Sequence, residues 1–216
     1  MTTPEIIGST RSTYTHAIRL VCEEKRIDYK LTECPLRAPE LYAIHPFGKM
    51  PVLRHGDFEL FESKAIAGYL DRSFPAPYLF PDDLRLAALT EQWISLVNTL
   101  MDHTLIRTYL FAYIAPNTAD GGPDRATIDA IMPALQAQIE VLDKAVAPRG
   151  YLVGSDLTFA DLNLLPILHR VRQAPEGASV LAAAPHLTRY YEQHAARPSF
   201  QRTLPPAGPP RRSQTS

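Results

Sequence analysis

The sequence predicts a two-domain protein in which a small α/β domain with a mixed sheet precedes an all-helical domain. Strand and helix patterns alternate over roughly the first eighty residues, and beyond a proline-rich segment the apolar residues repeat only at helical spacing. A chain of 216 residues is long for one domain and comfortable for two.

The first part of the chain reads strand, helix, strand. Ile6 and Ile7 form a short apolar run that leads into a polar loop. Apolar side chains then recur at i, i+4, i+7 and i+8, the spacing of one helix face, at Tyr14, Ile18, Val21 and Cys22. Residues 27–33 alternate apolar and polar, as a half-buried strand does. A crossover of this kind brings its two strands parallel.

A hairpin is expected next. Residues 50–55 and 58–61 read as two short strands joined by the loop Gly56-Asp57. Glycine in the first loop position suits a type II′ turn, so we expect antiparallel pairing. Ser63 follows directly and is expected to be the N-cap of a helix. The first domain is therefore predicted to be a βαβ unit followed by a ββα unit.

Prolines mark the domain boundary. Three prolines between residues 74 and 81 predict a stiff linker, because each disfavours helix at the residue before it. We place the first domain at residues 1–76, the linker at 77–84 and the helical domain at 85–204. The Pro-rich, Arg-bearing tail at residues 205–216 cannot join a core and is expected to be flexible.

The second domain shows almost no strand pattern. A helical repeat over residues 86–114 is followed by a helix over residues 124–146, in which Pro133 predicts a kink or a break. Further helices are predicted from Thr158 and around residues 187–194.

Composition excludes several classes of protein. Apolar residues make up 45% and charged residues 21%, with a net charge of −1, so neither disorder nor a nucleic-acid or membrane-binding patch is indicated. The start of the chain lacks signal-peptide character, and no apolar run is long enough to span a bilayer. Cys22 and Cys34 are too far apart for a redox pair and too few for a metal site. We expect reduced thiols, a cytoplasmic protein and no metal.

Four stretches carry a resemblance to a known family. They are residues 12–15 at the turn into the first helix, 45–51 opening the third strand, 61–66 where the fourth strand meets its helix, and 154–161 in the helical half. In this order and spacing they resemble the cytosolic glutathione transferases, whose first domain is thioredoxin-like and whose second is helical. The resemblance extends to about Leu204. Residues 12–13 followed by 19–25 look most like the serine-type branches, phi, theta and bacterial relatives.

The resemblance implies an enzyme that conjugates glutathione, as co-substrate, to small hydrophobic electrophiles, with glutathione peroxidase activity as a further possibility. It also implies a homodimer in which Phe47 enters the partner subunit, although a local core position would equally suit a phenylalanine. Two alternatives stay open: a glutathione-dependent isomerase or dehalogenase, and a non-enzymatic glutathione or ligand carrier.

Ser12 is the candidate catalytic residue by this resemblance. A free thiol with a pKa of about 8.5 is only slightly ionised at neutral pH. One hydrogen bond to a charged group contributes roughly 1.5–3 kcal/mol, which corresponds to about one to two pKa units. The Ser12 hydroxyl could therefore stabilise the glutathione thiolate, with help from the helix dipole. Ser12 could instead be only an N-cap, and Thr13, Tyr14 or Ser9 could be the donor.

The remaining glutathione contacts follow from the other motifs. The Met50-Pro51 bond is expected to be cis, which would turn the Met50 backbone towards a glutathione strand. Glu62 is expected to bind the γ-glutamyl ammonium, and Ser63 its carboxylate, although Glu-Ser also occurs as a plain capping pair.

Two groups of residues complete the expected site. Lys49 and Arg37 are candidates for the glycine carboxylate of glutathione, unless they are ordinary surface charges. The electrophile is expected between the domains. Its predicted pocket is lined by aromatic and apolar residues, namely Tyr14, Met101, Tyr109 and Tyr113. Such residues at helical spacing can equally belong to a core.

Overall fold

A computed structural model describes residues 2–116 and 118–206 of the chain. Most of the predicted flexible tail, residues 207–216, lies outside the described residues. The elements of the first domain are, in chain order, β1 (Glu5–Gly8), α1 (Thr13–Lys25), β2 (Lys30–Glu33), α2 (Pro39–Tyr42), β3 (Val52–His55), β4 (Phe58–Phe61) and α3 (Ser63–Ser73).

The four strands form one mixed sheet in the order β2-β1-β3-β4. Strands β1 and β2 are parallel, with Ile6 opposite Leu31, whereas β1 and β3 are antiparallel. Strands β3 and β4 pair antiparallel, and His55 lies opposite Phe58. Gly56 has φ +66°, as the first position of a type II′ turn requires. The predicted βαβ-ββα arrangement is confirmed.

Two strands are shorter than predicted. Strand β2 begins at Lys30 because α1 ends in a left-handed cap at Arg26, with φ 55°, and the N–H of Ile27 still bonds to the carbonyl of Cys22 at 2.8 Å. Strand β3 begins at Val52, one residue after Pro51, which has no N–H to donate to the ladder. The predicted helix cap also shifts: Glu62 is the N-cap of α3, and Ser63 is its first residue.

The linker is fastened by a buried ion pair of the first domain. Lys25 Nζ lies 3.0 Å from Asp71 Oδ1, with side chains 0% and 2% exposed. The same ammonium donates to the carbonyl oxygens of Pro75 at 3.0 Å and Pro77 at 2.8 Å. Asp71 in turn accepts the N–H of Leu79 at 2.8 Å. The proline-rich segment is thus fixed to α1 and α3, because its backbone groups are the partners that a buried charge requires.

The second domain is helical throughout its described residues. Its elements are α4 (Leu84–Leu96), a π-helical stretch (Val97–Leu110), α5 (Phe111–Ile114), α6 (Arg125–Val146), α7 (Phe159–Val171), α8 (Pro175–Ala182), α9 (Pro185–Ala195) and α10 (Pro198–Thr203). No described helix is both long enough and apolar enough to cross a membrane.

Three details of this domain differ from the sequence prediction. The run over residues 84–114 is one helical rod, but its middle changes to π-type bonding, as in the bond from Phe111 N–H to Ile106 O. Helix α6 continues through Pro133, so the predicted break is wrong. Helices α8 and α10 begin at prolines and were not predicted, because their short apolar patterns do not stand out in the sequence.

Helix α7 is the central element of the molecule. It contacts α1 of the first domain as well as α4, the π-helical stretch and α9. Its N-terminus carries the capping box in which Asp161, 0% exposed, accepts the N–H of Thr158 at 2.9 Å. Asp161 also accepts the N–H of Leu152 at 2.9 Å and the hydroxyl of Tyr190 at 3.1 Å. This carboxylate therefore joins the loop before α7 to α9.

Candidate functional site

Ser12 is the N-cap of α1. Its φ and ψ of −75° and 127° are extended, and its Oγ accepts the N–H of Thr15 at 3.3 Å. Strand β1 comes close to this helix start, because a Cβ added to Gly8 would lie 2.6 Å from Thr15 Oγ1. A hydroxyl has one donor and two acceptor lone pairs, so the capping bond leaves the Ser12 proton available. The two interpretations of Ser12, cap and thiolate donor, are compatible.

The Met50-Pro51 peptide bond is cis, as predicted. The N–H of Ser9 points to Met50 Sδ at 3.2 Å, so this bond lies beside the loop that precedes Ser12. Pro51 is buried, while Met50 is partly exposed. A second cis bond, Ala76-Pro77, lies in the linker and was not predicted.

Glu62 adopts a backbone conformation that is unusual for a residue with a side chain. Its φ is +70°, and its side chain is 68% exposed. Holding a non-glycine residue in a sparsely populated region of φ and ψ costs about 1–3 kcal/mol, and such residues cluster at functional sites. Ser63, the first residue of α3, is 7% exposed. The strained turn places an outward-facing carboxylate beside the N–H groups at a helix N-terminus.

His45 is a site residue that sequence reasoning missed. Its ring is 3% exposed, and its Nδ1 accepts the N–H of Phe47 at 3.0 Å. Because Nδ1 is an acceptor, the neutral ring carries its proton on Nε2, which lies 3.5 Å from Glu62 Oε1. His45 therefore lies beside the exposed Glu62 carboxylate. The signal in the sequence was a histidine at the start of the motif 45–51.

Arg37 and Lys49 are both exposed and lie on the loops that flank α2. The N–H of Arg37 donates to the carbonyl of Gly48 at 3.1 Å, which holds the two loops together next to Lys49. Neither side chain forms an ion pair with another described residue. The arrangement brings the backbones that carry these two exposed cations close together.

Tyr14 faces the second domain. Burial raises the pKa of its phenol, and the carboxylate of Asp102 beside it acts in the same direction, whereas the Arg107 guanidinium opposes the shift. A phenol next to a carboxylate stays protonated at neutral pH. Tyr14 thus lies at the domain boundary, and its place in the electrophile pocket stays a prediction.

Of the other residues predicted for the electrophile pocket, Met101 and Tyr109 belong to the helical core, and Tyr113 is partly buried against it. Met101 is 1% exposed and Tyr109 is 0% exposed. The Tyr109 hydroxyl accepts the N–H of Gly177 at 2.7 Å and donates to Glu176 at 3.2 Å. The hydroxyl of Tyr113 also bonds to Glu176. Helix α8 thus supplies the polar partner for the face that Tyr109 and Tyr113 share, and of the three residues only Tyr113 is partly open to solvent.

No group of three or more His, Cys, Asp or Glu among the described residues is arranged to hold a metal ion. The buried thiols do not supply a nucleophile either. Burial raises the pKa of both Cys22 and Cys34.

Comparison with known proteins agrees with this geometry. The family models of the glutathione S-transferase N-terminal and C-terminal domains match residues 11–73 and 100–198. Glutathione S-transferase 3 of Zea mays is 32% identical over 196 residues, which cover 87% of this chain and 86% of the relative. Glutathione S-transferase 4 of the same plant is 32% identical over 208 residues, covering 92% of each. These relatives are plant proteins and do not support the bacterial part of the predicted branch.

A solved structure of a glutathione S-transferase is also similar to this chain. Glutathione S-transferase I from mais in complex with an atrazine glutathione conjugate superposes with a TM-score of 0.83 at 28% identity, covering 94% of this chain and 96% of that one. The two matched domains and the identity along nearly the whole chain show that this protein belongs to the glutathione S-transferase family.

Proposed function

We propose that this protein is a serine-type glutathione transferase that acts in the cytoplasm and transfers the glutathione thiolate to small hydrophobic electrophiles. The observation that carries the proposal is Ser12, whose hydroxyl proton is uncommitted at the positive end of α1 and beside the cis Met50-Pro51 bond. Relatives with bound glutathione conjugates support the same reaction.

Glutathione is proposed to bind as an extra strand along the Met50 backbone. An extended peptide that adds to exposed strand backbone gains main-chain hydrogen bonds. Its γ-glutamyl end would then lie at the α3 N-terminus, where Glu62 meets the ammonium and Ser63 the carboxylate. Its glycine carboxylate would face Arg37 and Lys49.

Ser12 is proposed to act on the sulfur. The hydroxyl donates a hydrogen bond to the thiolate and lowers the pKa of the thiol, and the proton leaves to solvent. The thiolate then attacks the electrophilic carbon, forms the S–C bond and displaces the leaving group with its electron pair. Ser12 remains unmodified throughout, because it stabilises a nucleophile and does not become one.

The test is the pKa of bound glutathione, followed by thiolate absorbance against pH. Ser12→Ala should raise that pKa by about one to two units and reduce turnover of an aryl halide at neutral pH. Ser12→Thr keeps a hydroxyl and a capping oxygen, so it should restore most of the effect. Binding of glutathione with an unchanged pKa in Ser12→Ala would assign the donor to a neighbour, and no binding by the wild type would overturn the proposal.

A homodimer with Phe47 at its interface is also proposed. Phe47 is 71% exposed and Phe61 38% exposed, and both rings flank His45, so they form an apolar surface next to the glutathione site. We expect light scattering to give twice the mass of the chain. Phe47→Ser should shift the protein towards monomer, whereas Val141→Ser, at a 49% exposed position on α6, should not. A monomeric wild type would contradict this proposal.

A further inference from the structure

Arg107 is held in one orientation by a buried carboxylate. Its Nε donates to Asp102 Oδ2 at 2.9 Å, and the Asp102 side chain is only 8% exposed, while that of Arg107 is 47% exposed. The guanidinium carbon lies 5.5 Å from the ring centroid of Phe111. One edge of the guanidinium is therefore fixed by the protein, and the opposite edge faces solvent.

The π-helical stretch makes this pair possible. Asp102 and Arg107 are five residues apart. In an α-helix with 3.6 residues per turn, side chains five apart point in directions that differ by about 140°. Bonding from i to i+5 widens the turn and brings residues five apart onto one side of the helix. The change from α to π geometry thus coincides with the placement of this arginine, and such changes occur frequently at functional sites.

The pair lies at the domain boundary beside Tyr14. The carboxylate of Asp102 lies beside the phenol of Tyr14, and the Arg107 charge also acts on that phenol. Tyr14 belongs to the first turn of α1 and follows Ser12 by two residues. An electrophile that reaches sulfur held by Ser12 would therefore approach the open edge of the guanidinium.

The open edge has unused donors. A guanidinium carries five N–H groups, of which the Asp102 contact uses the one on Nε. Within residues 2–116 and 118–206, no hydrogen bond from Nη1 or Nη2 is found. The remaining oxygen of the pair, Asp102 Oδ1, also lacks a partner there, but it is sealed from solvent and cannot be reached by a cation. The accessible chemistry of the pair is that of a hydrogen-bond donor with positive charge.

We propose that Arg107 is a specificity-determining residue that binds a carboxylate on the electrophile while Phe111, 37% exposed, contacts its apolar part. The preferred co-substrate is an aromatic electrophile with an anionic group away from the reacting carbon. Asp102 lies behind the guanidinium, fixes its direction and leaves the terminal nitrogens for the ligand. The inference rests on the proposed function, because it needs glutathione bound at Ser12.

The reaction with such a substrate leaves the carboxylate unchanged. With 4-chloro-3,5-dinitrobenzoate, the thiolate adds to the carbon that bears chlorine, the ring accepts the electron pair, and chloride departs with its bonding electrons as the ring is restored. Arg107 contributes by holding the benzoate in position during this sequence. The methyl ester of this benzoate has the same reacting carbon but no negative charge, so it serves as the matched probe.

The experiment compares kcat/KM for the benzoate and its methyl ester in wild type, Arg107→Gln and Arg107→Lys. Arg189→Gln, an exposed arginine on α9, is the control. We expect the acid-to-ester ratio to fall about tenfold or more in Arg107→Gln, as loss of a charge-assisted hydrogen bond predicts. Arg107→Lys should retain part of the ratio, and Arg189→Gln should leave it unchanged.

An unchanged acid-to-ester ratio in Arg107→Gln would overturn the inference, and so would an equal loss for both probes. If the wild type binds glutathione but turns over neither probe, the same ratio is measured as the affinity for the two preformed conjugates by calorimetry. If the wild type binds no glutathione, the proposed function itself is contradicted. Failure of the function and failure of the inference are thereby distinguishable.

Discussion

At the scale of single residues, the site combines cations on exposed loops with an anion in a strained turn. Arg37 itself has a positive φ of 64°, and Lys49 follows Gly48, whose φ is 58°. A Cβ on Gly48 would lie 2.7 Å from the Tyr42 ring, so glycine is required there both by conformation and by space. These backbone constraints fix the two loops from which the Arg37 and Lys49 side chains extend.

The contribution of Arg37 and Lys49 can be tested with glutathione and its C-terminal amide. The double variant Arg37→Ala/Lys49→Ala should weaken glutathione binding about three- to tenfold, because exposed ion pairs contribute roughly 0–1 kcal/mol each. Affinity for the amide should be nearly unchanged, since the amide carries no glycine carboxylate. Calorimetric titration measures both.

Lys144→Ala, on the remote helix α6, is the control for a lost surface cation. An equal loss of affinity for glutathione and its amide would show that the two residues act on another part of the ligand. That outcome would remove them from the glycine end of the site.

At the scale of elements, the packing of α8 depends on a glycine that no local sequence pattern marks as important. A Cβ on Gly177 would lie 2.2 Å from the backbone oxygen of Val171, at the end of α7. The N–H of Gly177 also donates to the Tyr109 hydroxyl. Helix α8 can therefore cover the π-helical stretch only because this position has no side chain.

Gly177→Ala should lower the free energy of unfolding by at least about 2 kcal/mol, because backbone must move to admit the methyl group. Gly68→Ala is a matched control inside α3, where nothing lies within 4 Å of the added Cβ. It should stabilise the protein by about 0.5–1 kcal/mol through helix propensity. Urea unfolding of both variants measures the difference, and equal effects would contradict the packing argument.

At the scale of the whole molecule, α1 joins the two domains. Glu24 forms a two-point ion pair with Arg197, with both N–O distances 2.7 Å. His16 Nε2 lies 2.9 Å from Thr203 Oγ1, and its ring is 6.4 Å from that of His169 on α7. Two imidazoles thus meet in the interface between α1, α7 and α10.

Acid should weaken this interface. Burial lowers the pKa of His16 to about 3 and that of His169 to about 4, and nearby arginines act in the same direction. These folded-state pKa values lie below the unfolded value of about 6.5. The stability that the two buried, neutral imidazoles contribute is therefore fully present above pH 6.5 and is lost as the pH falls towards 4. We expect the free energy of unfolding to fall by at least about 2 kcal/mol between pH 6.5 and 4.

The slope of the unfolding free energy against pH identifies the groups responsible. His16→Leu removes one of the two imidazoles, so its slope between pH 6.5 and 4 should be smaller than that of the wild type, whatever its absolute stability. His103→Gln, at an exposed position, should keep the wild-type slope. A His16→Leu slope equal to that of the wild type would place the acid sensitivity elsewhere.

The sequence by itself determined the features that depend on near neighbours in the chain. The turn at Gly56 and the succession of strands and helices in the first domain follow from residue type and short-range periodicity, which also made Ser12 a candidate cap. The cis Met50-Pro51 bond followed from the family resemblance carried by the motif around it. These local signals were sufficient for the sheet domain and for the position of Ser12.

Only the tertiary structure decided what covers each helix face. Periodicity indicated correctly that Tyr109 and Tyr113 share a face. It could not indicate that Glu176, more than sixty residues later, packs against that face and accepts hydrogen bonds from both hydroxyls. The π-helical stretch further changes the direction of side chains along the rod, so Arg107 reaches Asp102 instead of a residue four positions away. The physical reason is that helical spacing specifies which residues point the same way, whereas the element that packs against them is chosen by contacts distant in sequence.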